Sequence, residues 1–157
     1  MGIEFKIIKE LPNKKLLKSI EKSVKKFVKE SNPDSTPCNE QGLYQQTLQG
    51  IAQNILGNSE HSQFWLAEYN NEVLAYSLCH TSLDVDNQLC YWITQTFVNK
   101  KVRRHRIVSI WRQQLYDEAK KLDCKHIIVP SSRNNEAYKR WLGEGWHTYV
   151  TLLKKDI

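Results

Sequence analysis

The sequence predicts a single α/β domain, residues 1–157, built on a mixed (α+β type) and mainly antiparallel sheet. Two apolar stretches, residues 64–68 and 73–78, flank Asn70 and Asn71. This pattern indicates a β-hairpin, because asparagine readily adopts the left-handed conformation of tight turns. Farther along the chain, a strand, a helix and another strand follow one another, which requires a parallel pair joined by a right-handed crossover. The length is sufficient for one buried core.

The N-terminal half supplies the first strand, two helices and the hairpin. Residues 3–7 alternate between apolar and polar side chains, as in a half-buried strand. Apolar residues within 16–27 recur at helical spacing with lysines between them, which predicts an amphipathic helix. A weaker, glutamine-rich helical pattern occupies residues 43–56 and ends before a Gly-Asn-Ser turn. The two hairpin strands follow.

The C-terminal half supplies the parallel pair. Residues 89–98 are rich in aromatic and β-branched side chains and predict a long strand. Residues 107–122 carry an apolar stripe at helical spacing, and residues 126–129 form a short apolar run. We expect another helix to begin at Asn134 and a last strand at residues 149–153. The predicted order is therefore β-α-α-β-β-β-α-β-α-β.

The charge of the chain favours an anionic partner. The formal net charge is +6, which suits nucleic acid, a membrane surface or a phosphorylated cofactor. One basic group lies on the first predicted helix, and another is the run from Lys100 to Arg106 at a strand-to-helix junction. No apolar segment is long enough to span a bilayer, so we expect no membrane partner.

The cysteines and histidines predict neither disulfides nor a metal site. The four cysteines form no C-x-x-C pair, and the five histidines show no ligand spacing. We therefore expect buried free thiols, which favour a reducing compartment, and a cytoplasmic location because the N-terminus lacks the pattern of a signal peptide.

The second half of the chain carries a recognisable set of motifs. Arg103, Arg106 and Val108 stand at the spacing of a Q/R-x-x-G-x-G/A motif, after a strand that ends at Val98. A second set consists of an asparagine, an alanine, an aromatic residue and a Gly-aromatic pair: Asn134, Ala137, Trp141, Gly145 and Trp146. In their order and mutual spacing, these motifs resemble the GNAT acyltransferase superfamily over roughly residues 64–153.

The resemblance implies acetyl-CoA as the cofactor and an amine-bearing small molecule or protein as the acceptor. The implied reaction is direct attack of the amine on the thioester. The cofactor would lie where a splayed strand meets a helix N-terminus, whose free N–H groups and dipole bind phosphate. The implied cofactor-binding residues are Val98, Arg103, Arg104, His105, Arg106, Ile107, Val108, Ser109, Asn134 and Ala137.

Tyr138 and Glu68 are the candidate catalytic residues. Many family members carry a tyrosine, which protonates the leaving thiolate, where this chain has Trp141; Tyr138 lies one helical turn earlier and could take that role. The attacking amine must lose a proton, and Glu68 lies on a strand that could face the cleft. The same could hold for four further strand residues: His80, Tyr91, Thr94 and Gln95.

Two other functions remain open from the sequence. The β-branched Val108 and the indole of Trp141, which does not readily release a proton, motivate a catalytically inactive GNAT-like structural or binding protein. An example would be a component of a bacteriophage virion, with other virion proteins as partners and a location inside the particle. A basic nucleic-acid-binding domain is the third hypothesis, based on the run from Lys100 to Arg106 and the lysine-rich first helix.

Overall fold

The computed structural model describes residues 2–31, 39–57, 59–103, 105–129, 139, 143, 145 and 146. Eight helices and strands lie in these ranges, and a short 3-10 turn at Lys100–Val102 precedes the third helix. In chain order the elements are β1 (Glu4–Ile7), α1 (Lys14–Glu30), α2 (Glu40–Gly57), β2 (Ser62–Tyr69), β3 (Glu72–Leu83), β4 (Leu89–Val98), α3 (Ile107–Lys121) and β5 (His126–Ile128). The expected helix from Asn134 and strand at 149–153 lie outside the described residues.

The five strands form one sheet in the order β1-β2-β3-β4-β5. The first three pairings are antiparallel, and β5 pairs with β4 in parallel. The sheet is therefore mixed and mainly antiparallel, as the sequence predicts. The chain reaches β5 from β4 through α3, which is the crossover that a parallel pair requires.

Asparagine residues shape the turns and the start of α1. Asn70 and Asn71 have φ angles of 50° and 62°, so the left-handed β2–β3 turn predicted from the sequence is confirmed. Asn13 caps α1: its side-chain oxygen accepts a hydrogen bond of 3.0 Å from the backbone N–H of Leu16. At the other end, the N–H of Ser31 bonds to the carbonyl of Phe27 and closes the last turn.

The helices cover both faces of the sheet, so the molecule has two apolar clusters. α1 and α2 pack on one face, where Ile20, Val24 and Tyr76 are almost completely buried. α3 packs on the other face, where Trp111 and Leu115 are 1% and 2% exposed. Complete burial of each such side chain contributes roughly 1.5–3 kcal/mol. Both faces of the central strands are therefore covered by helices.

The described residues contain no helix that is both long and apolar enough to cross a membrane. Within those same ranges, no group of three or more His, Cys, Asp or Glu side chains could hold a metal ion. Cys79 and Cys90 are buried free thiols, and Cys124 is half-buried. Burial raises the pKa of Cys79 to about 12, so it is protonated at neutral pH. Cys38 lies outside the described residues.

Candidate functional site

The parallel pairing of β4 with β5 covers only the first part of β4. Their parallel register joins Cys90 with His126, Tyr91 with Ile127 and Trp92 with Ile128, and pairing ends there. β4 continues to Val98, so that in the described part of the chain no strand pairs with the far edge of residues 93–98. At about 3.3 Å per residue, this unpaired edge is roughly 16 Å long. The Val98 carbonyl of this edge accepts from Arg103 Nε at 2.9 Å, and for the rest of the edge the described residues provide no strand partner.

A β-bulge lies just past the end of the β4–β5 pairing. Leu78 pairs with Gln95 and Cys79 pairs with Ile93, so Thr94 is an extra residue in β4. The Thr94 hydroxyl donates a hydrogen bond of 3.0 Å to the carbonyl of Leu78. A bulge bends its strand and increases the local twist, and this one lies just beyond the last residue of β4 that pairs with β5.

The end of β4 leads through a tight turn to the N-terminus of α3. The buried Asn99 fixes this turn, because its N–H donates to the carbonyl of Leu74 at 2.8 Å and its side-chain oxygen accepts from the N–H of Lys101 at 3.2 Å. Among the described residues, no backbone carbonyl accepts from the amides of Arg106, Ile107 or Ser109. Amides without a partner among the described residues, at the positive end of a fifteen-residue helix, form a site suited to phosphate.

Most of the basic side chains near this turn are engaged within the protein. Arg103 donates from Nε to the carbonyl of Val98 at 2.9 Å, and its guanidinium pairs with Glu30 at the end of α1. Lys100 lies 3.5 Å from the same Glu30 carboxylate, and Lys101 lies 3.7 Å from Glu72. Arg103 therefore links β4, α1 and the turn.

Two exposed side chains of the basic run, His105 and Arg106, directly precede the N-terminus of α3. In the described ranges, neither of them forms a salt bridge. Ser109, in the first turn of α3, is also exposed. These three residues border the free amides, so an anion bound there would meet two basic side chains.

Val98, Ile107 and Val108 form the apolar base beneath the helix N-terminus. Val108 is half-buried and packs into the cluster on the α3 face of the sheet. The apolar side chains at this point pack closely enough to leave no room for a water molecule; they belong to Ala75, Val98, Val102, Ile107, Val108 and Trp111. The β-branched Val108 thus occupies space toward the core, alongside Trp111.

Polar groups gather on the other face of the sheet, near the bulge. The rings of His80 and Trp92 stack with centroids 6.1 Å apart and planes 2° apart. Burial lowers the pKa of His80 below its ordinary value of 6.5, so the imidazole is neutral at pH 7. Trp92 Nε1 and Gln95 Oε1 are buried and have no hydrogen-bond partner among the described residues. Unpaired buried polar atoms are rare and mark a place where a ligand or water could bind.

The other sequence-predicted catalytic candidates are placed differently. Glu68 lies at the end of β2, where its carboxylate pairs with Lys6 at 2.9 Å and accepts from the N–H of Asn71 at 2.8 Å. These contacts favour a role in fixing the β2–β3 turn. Tyr91 faces α3 and is buried, with its hydroxyl donating to Gln63 at 2.7 Å. Four further candidates, Arg104, Asn134, Ala137 and Tyr138, lie outside the described residues.

Comparisons with known proteins agree with this fold. A model of the acetyltransferase (GNAT) family matches residues 24–143. No curated protein sequence matches the chain. Among solved structures, a Pyrococcus furiosus protein described as an acetyl transferase has a TM-score of 0.73 and 18% identity, covering 99% of this chain and all of its own.

Two more solved structures show the same fold at low identity. A Clostridium difficile 630 protein described as an acetyltransferase has a TM-score of 0.69 and 14% identity, covering 99% of this chain and 97% of its own. An aminoglycoside N-acetyltransferase in complex with CoA has a TM-score of 0.66 and 11% identity, covering 100% of this chain and 97% of its own. At these identities, the similarity establishes the architecture and leaves the acceptor open.

Proposed function

Because this chain belongs to the GNAT acetyltransferase family, whose members use acetyl-CoA, we propose that it transfers the acetyl group of acetyl-CoA to an amine. The observation that carries the proposal is the end of the β4–β5 pairing at Trp92, in a strand that continues to Val98 and leads to the N-terminus of α3. The unpaired edge would form one side of an elongated ligand site, and the helix would provide a phosphate site at one end of it.

The residues of this region fit an acyl-CoA in one orientation. The amides of Arg106, Ile107 and Ser109 hold the pyrophosphate, with Arg106 adding charge. The backbone edge of residues 93–98 bonds the extended amide-containing arm, much as a neighbouring strand would. The roughly 16 Å of this edge is comparable to the reach of that arm. An acyl-CoA held in this way would bring its thioester toward Thr94 and His80 at the other end of the edge.

The chemistry at the thioester needs a base and a site for the acceptor. His80 is neutral at pH 7, and a positioned imidazole accepts the proton that the attacking amine loses. Trp92 Nε1 is a donor and Gln95 Oε1 an acceptor that the described residues leave unpaired, and they orient the acceptor amine. Tyr138 remains our candidate for protonating the departing thiolate. The acceptor is an amine of a small molecule or of a protein.

The alternatives from the sequence gain less support. Lys100, Lys101 and Arg103 are paired with carboxylates, which removes much of the charge that a nucleic-acid site in this run would use. A catalytically inactive GNAT domain, as in a virion component, would bind CoA without turnover. Measuring binding and turnover separately distinguishes this case from an active transferase.

The phosphate site can be tested at one backbone atom. Proline is tolerated in the first turn of a helix but has no N–H, so Ser109→Pro removes one free amide, while Ser109→Ala keeps it. A hydrogen bond to a charged group contributes about 1.5–3 kcal/mol, so we expect Ser109→Pro to weaken CoA binding roughly tenfold or more in calorimetry. Ser109→Ala should bind like the wild type. Absence of binding by the wild type at millimolar CoA would refute the proposed function.

Turnover is measured by release of the CoA thiol from acetyl-CoA with a panel of primary amines. We expect His80→Gln to lower kcat at pH 7 by about two orders of magnitude, which is the usual contribution of a general base, and to leave CoA affinity unchanged. Equal loss of CoA affinity and rate would assign His80 to binding. Binding without turnover of any amine in the panel would favour the inactive domain.

A further inference from the structure

The outward surface of α1 is a continuous lysine face. It comprises seven residues: Lys14, Lys15, Lys18, Lys22, Lys25, Lys26 and Lys29. At about 100° per residue, all seven fall within an arc of roughly 120° around the helix axis, opposite the buried Leu16, Ile20 and Val24. At a rise of about 1.5 Å, the face is about 22 Å long.

The charges of the lysine face are almost uncompensated. Lys25 pairs with Glu21 at 2.8 Å, and in the described ranges no other lysine of the face forms a salt bridge. Several of these lysines are three or four positions apart, a spacing at which like charges destabilise a helix. Lys14 and Lys15 also stand at the positive end of the helix dipole, and the first turn contains no acidic residue.

We propose that the lysine face docks an acidic segment of a partner protein. A line of carboxylates would replace repulsion between lysines with attraction, which is the electrostatic complementarity that guides association between proteins. About seven extended residues span 22 Å, so a short acidic stretch is sufficient. This docking is independent of the acetyl transfer proposed above.

The chemistry of the face favours an acidic protein segment over other polyanions. It contains no arginine, so it lacks the planar forks that bind nucleic-acid phosphates. The ring of Tyr44 on α2 lies beside the face, but Lys25 Nζ already sits over it, 5.7 Å from its centroid. The large exposed apolar side chains of the described residues all lie outside α1. A membrane-surface helix needs such side chains beside its basic ones.

The test compares two charge-reversed variants of the whole chain. Lys18→Glu with Lys22→Glu changes the lysine face, whereas Lys9→Glu with Lys120→Glu changes two exposed lysines elsewhere and alters the net charge equally. The probe is a fluorescein-labelled peptide of about twelve residues with alternating glutamate and serine, read by fluorescence anisotropy at low salt, about 50 mM, where charge screening is weak. Circular dichroism checks that both variants keep their helix content.

We expect the wild type to bind the acidic peptide, and the α1 variant to lose about tenfold or more in affinity. The Lys9/Lys120 variant should lose less than about threefold. Equal losses in the two variants would show a general effect of net charge and overturn the proposal. Tighter binding of DNA of equal charge, lost in the α1 variant, would also overturn it, in favour of a nucleic-acid surface. Failure of the wild type to bind the peptide would overturn it outright.

Discussion

Replacing Gln63 by leucine tests how much its hydrogen bonds, which hold β2 and β4 to α3, contribute to the free energy of unfolding. Gln63 is 3% exposed and joins three elements. Its amide nitrogen donates to Glu118 of α3 at 2.8 Å, and its oxygen accepts from the Tyr91 hydroxyl at 2.7 Å and from Trp65 Nε1 at 3.0 Å. Leucine has similar bulk but can make none of these bonds, so one substitution removes three contacts.

The cost follows from which groups lose their partner. Trp65 Nε1 keeps the Tyr91 oxygen at 2.9 Å, so it stays bonded. The Glu118 oxygen facing Gln63 loses this partner, and the Tyr91 hydroxyl hydrogen is left with only the weakly accepting thiol of Cys79. Each such group costs about 1–3 kcal/mol, and more where it is charged, so we expect Gln63→Leu to lower the free energy of unfolding by roughly 3–5 kcal/mol. Tyr91→Phe should cost only about 1 kcal/mol, because Trp65 and Gln63 remain bonded to each other.

Urea denaturation followed by tryptophan fluorescence measures both variants, since Trp65 and Trp111 are buried. In the double variant, the phenylalanine no longer places a weakly paired hydroxyl beside the leucine that replaces Gln63. The combined cost should therefore be smaller than the sum of the two single costs. The reasoning is refuted if Tyr91→Phe costs as much as Gln63→Leu, or if the two effects are additive.

Three further predictions concern α1 and the region of the bulge. Glu30→Gln removes the ion pair with Arg103. The free energy of unfolding should change by less than about 1 kcal/mol, because the pair is partly exposed. CoA binding measured by calorimetry should weaken several-fold, and an unchanged affinity would argue against a role of this ion pair in holding the turn. The pKa of His80 is lowered by burial, so the unfolded state takes up its proton first as the pH falls through 6.5. The free energy of unfolding should therefore decrease as the pH falls from just above this value to below it, and less so in His80→Gln; identical slopes would contradict this. In Lys22→Glu, the new glutamate attracts the three lysines one helical turn away, which the original lysine repels. The free energy of unfolding measured by urea denaturation should therefore rise by about 1 kcal/mol. A decrease would show that the lysines do not repel one another.

The elements with a clear local pattern could be predicted closely from the sequence. The predicted strand 89–98 coincides with β4, and the predicted helix 107–122 differs from α3 by one residue. The left-handed turn at Asn70 and Asn71 is confirmed as well. In each case, side chains close in sequence determine the conformation, so spacing and residue type carry the information.

The contacts around the candidate site depend on distant parts of the chain. The partner of Arg103 is Glu30, 73 residues earlier, and no local pattern indicates that pair. The bulge at Thr94 escapes prediction because an extra residue is defined only against the facing strand. Glu68 resembles a candidate base in sequence, but Lys6 engages it across the β1–β2 pair. Its partner therefore becomes visible only in the assembled sheet.

The extra residue in β4 also decides which core each later side chain enters. Tyr91 and Ile93 belong to the cluster under α3, and so does Val98, although odd and even positions of an unbroken strand point to opposite faces. Thr94 shifts the phase by one, and Phe97 thereby reaches the cluster under α1 and α2. Replacing the exposed Thr94 by another residue should thus have a small effect on stability, whereas deleting it would point Phe97 and Val98 to the opposite faces of the sheet. At this position the number of residues matters more than their identity.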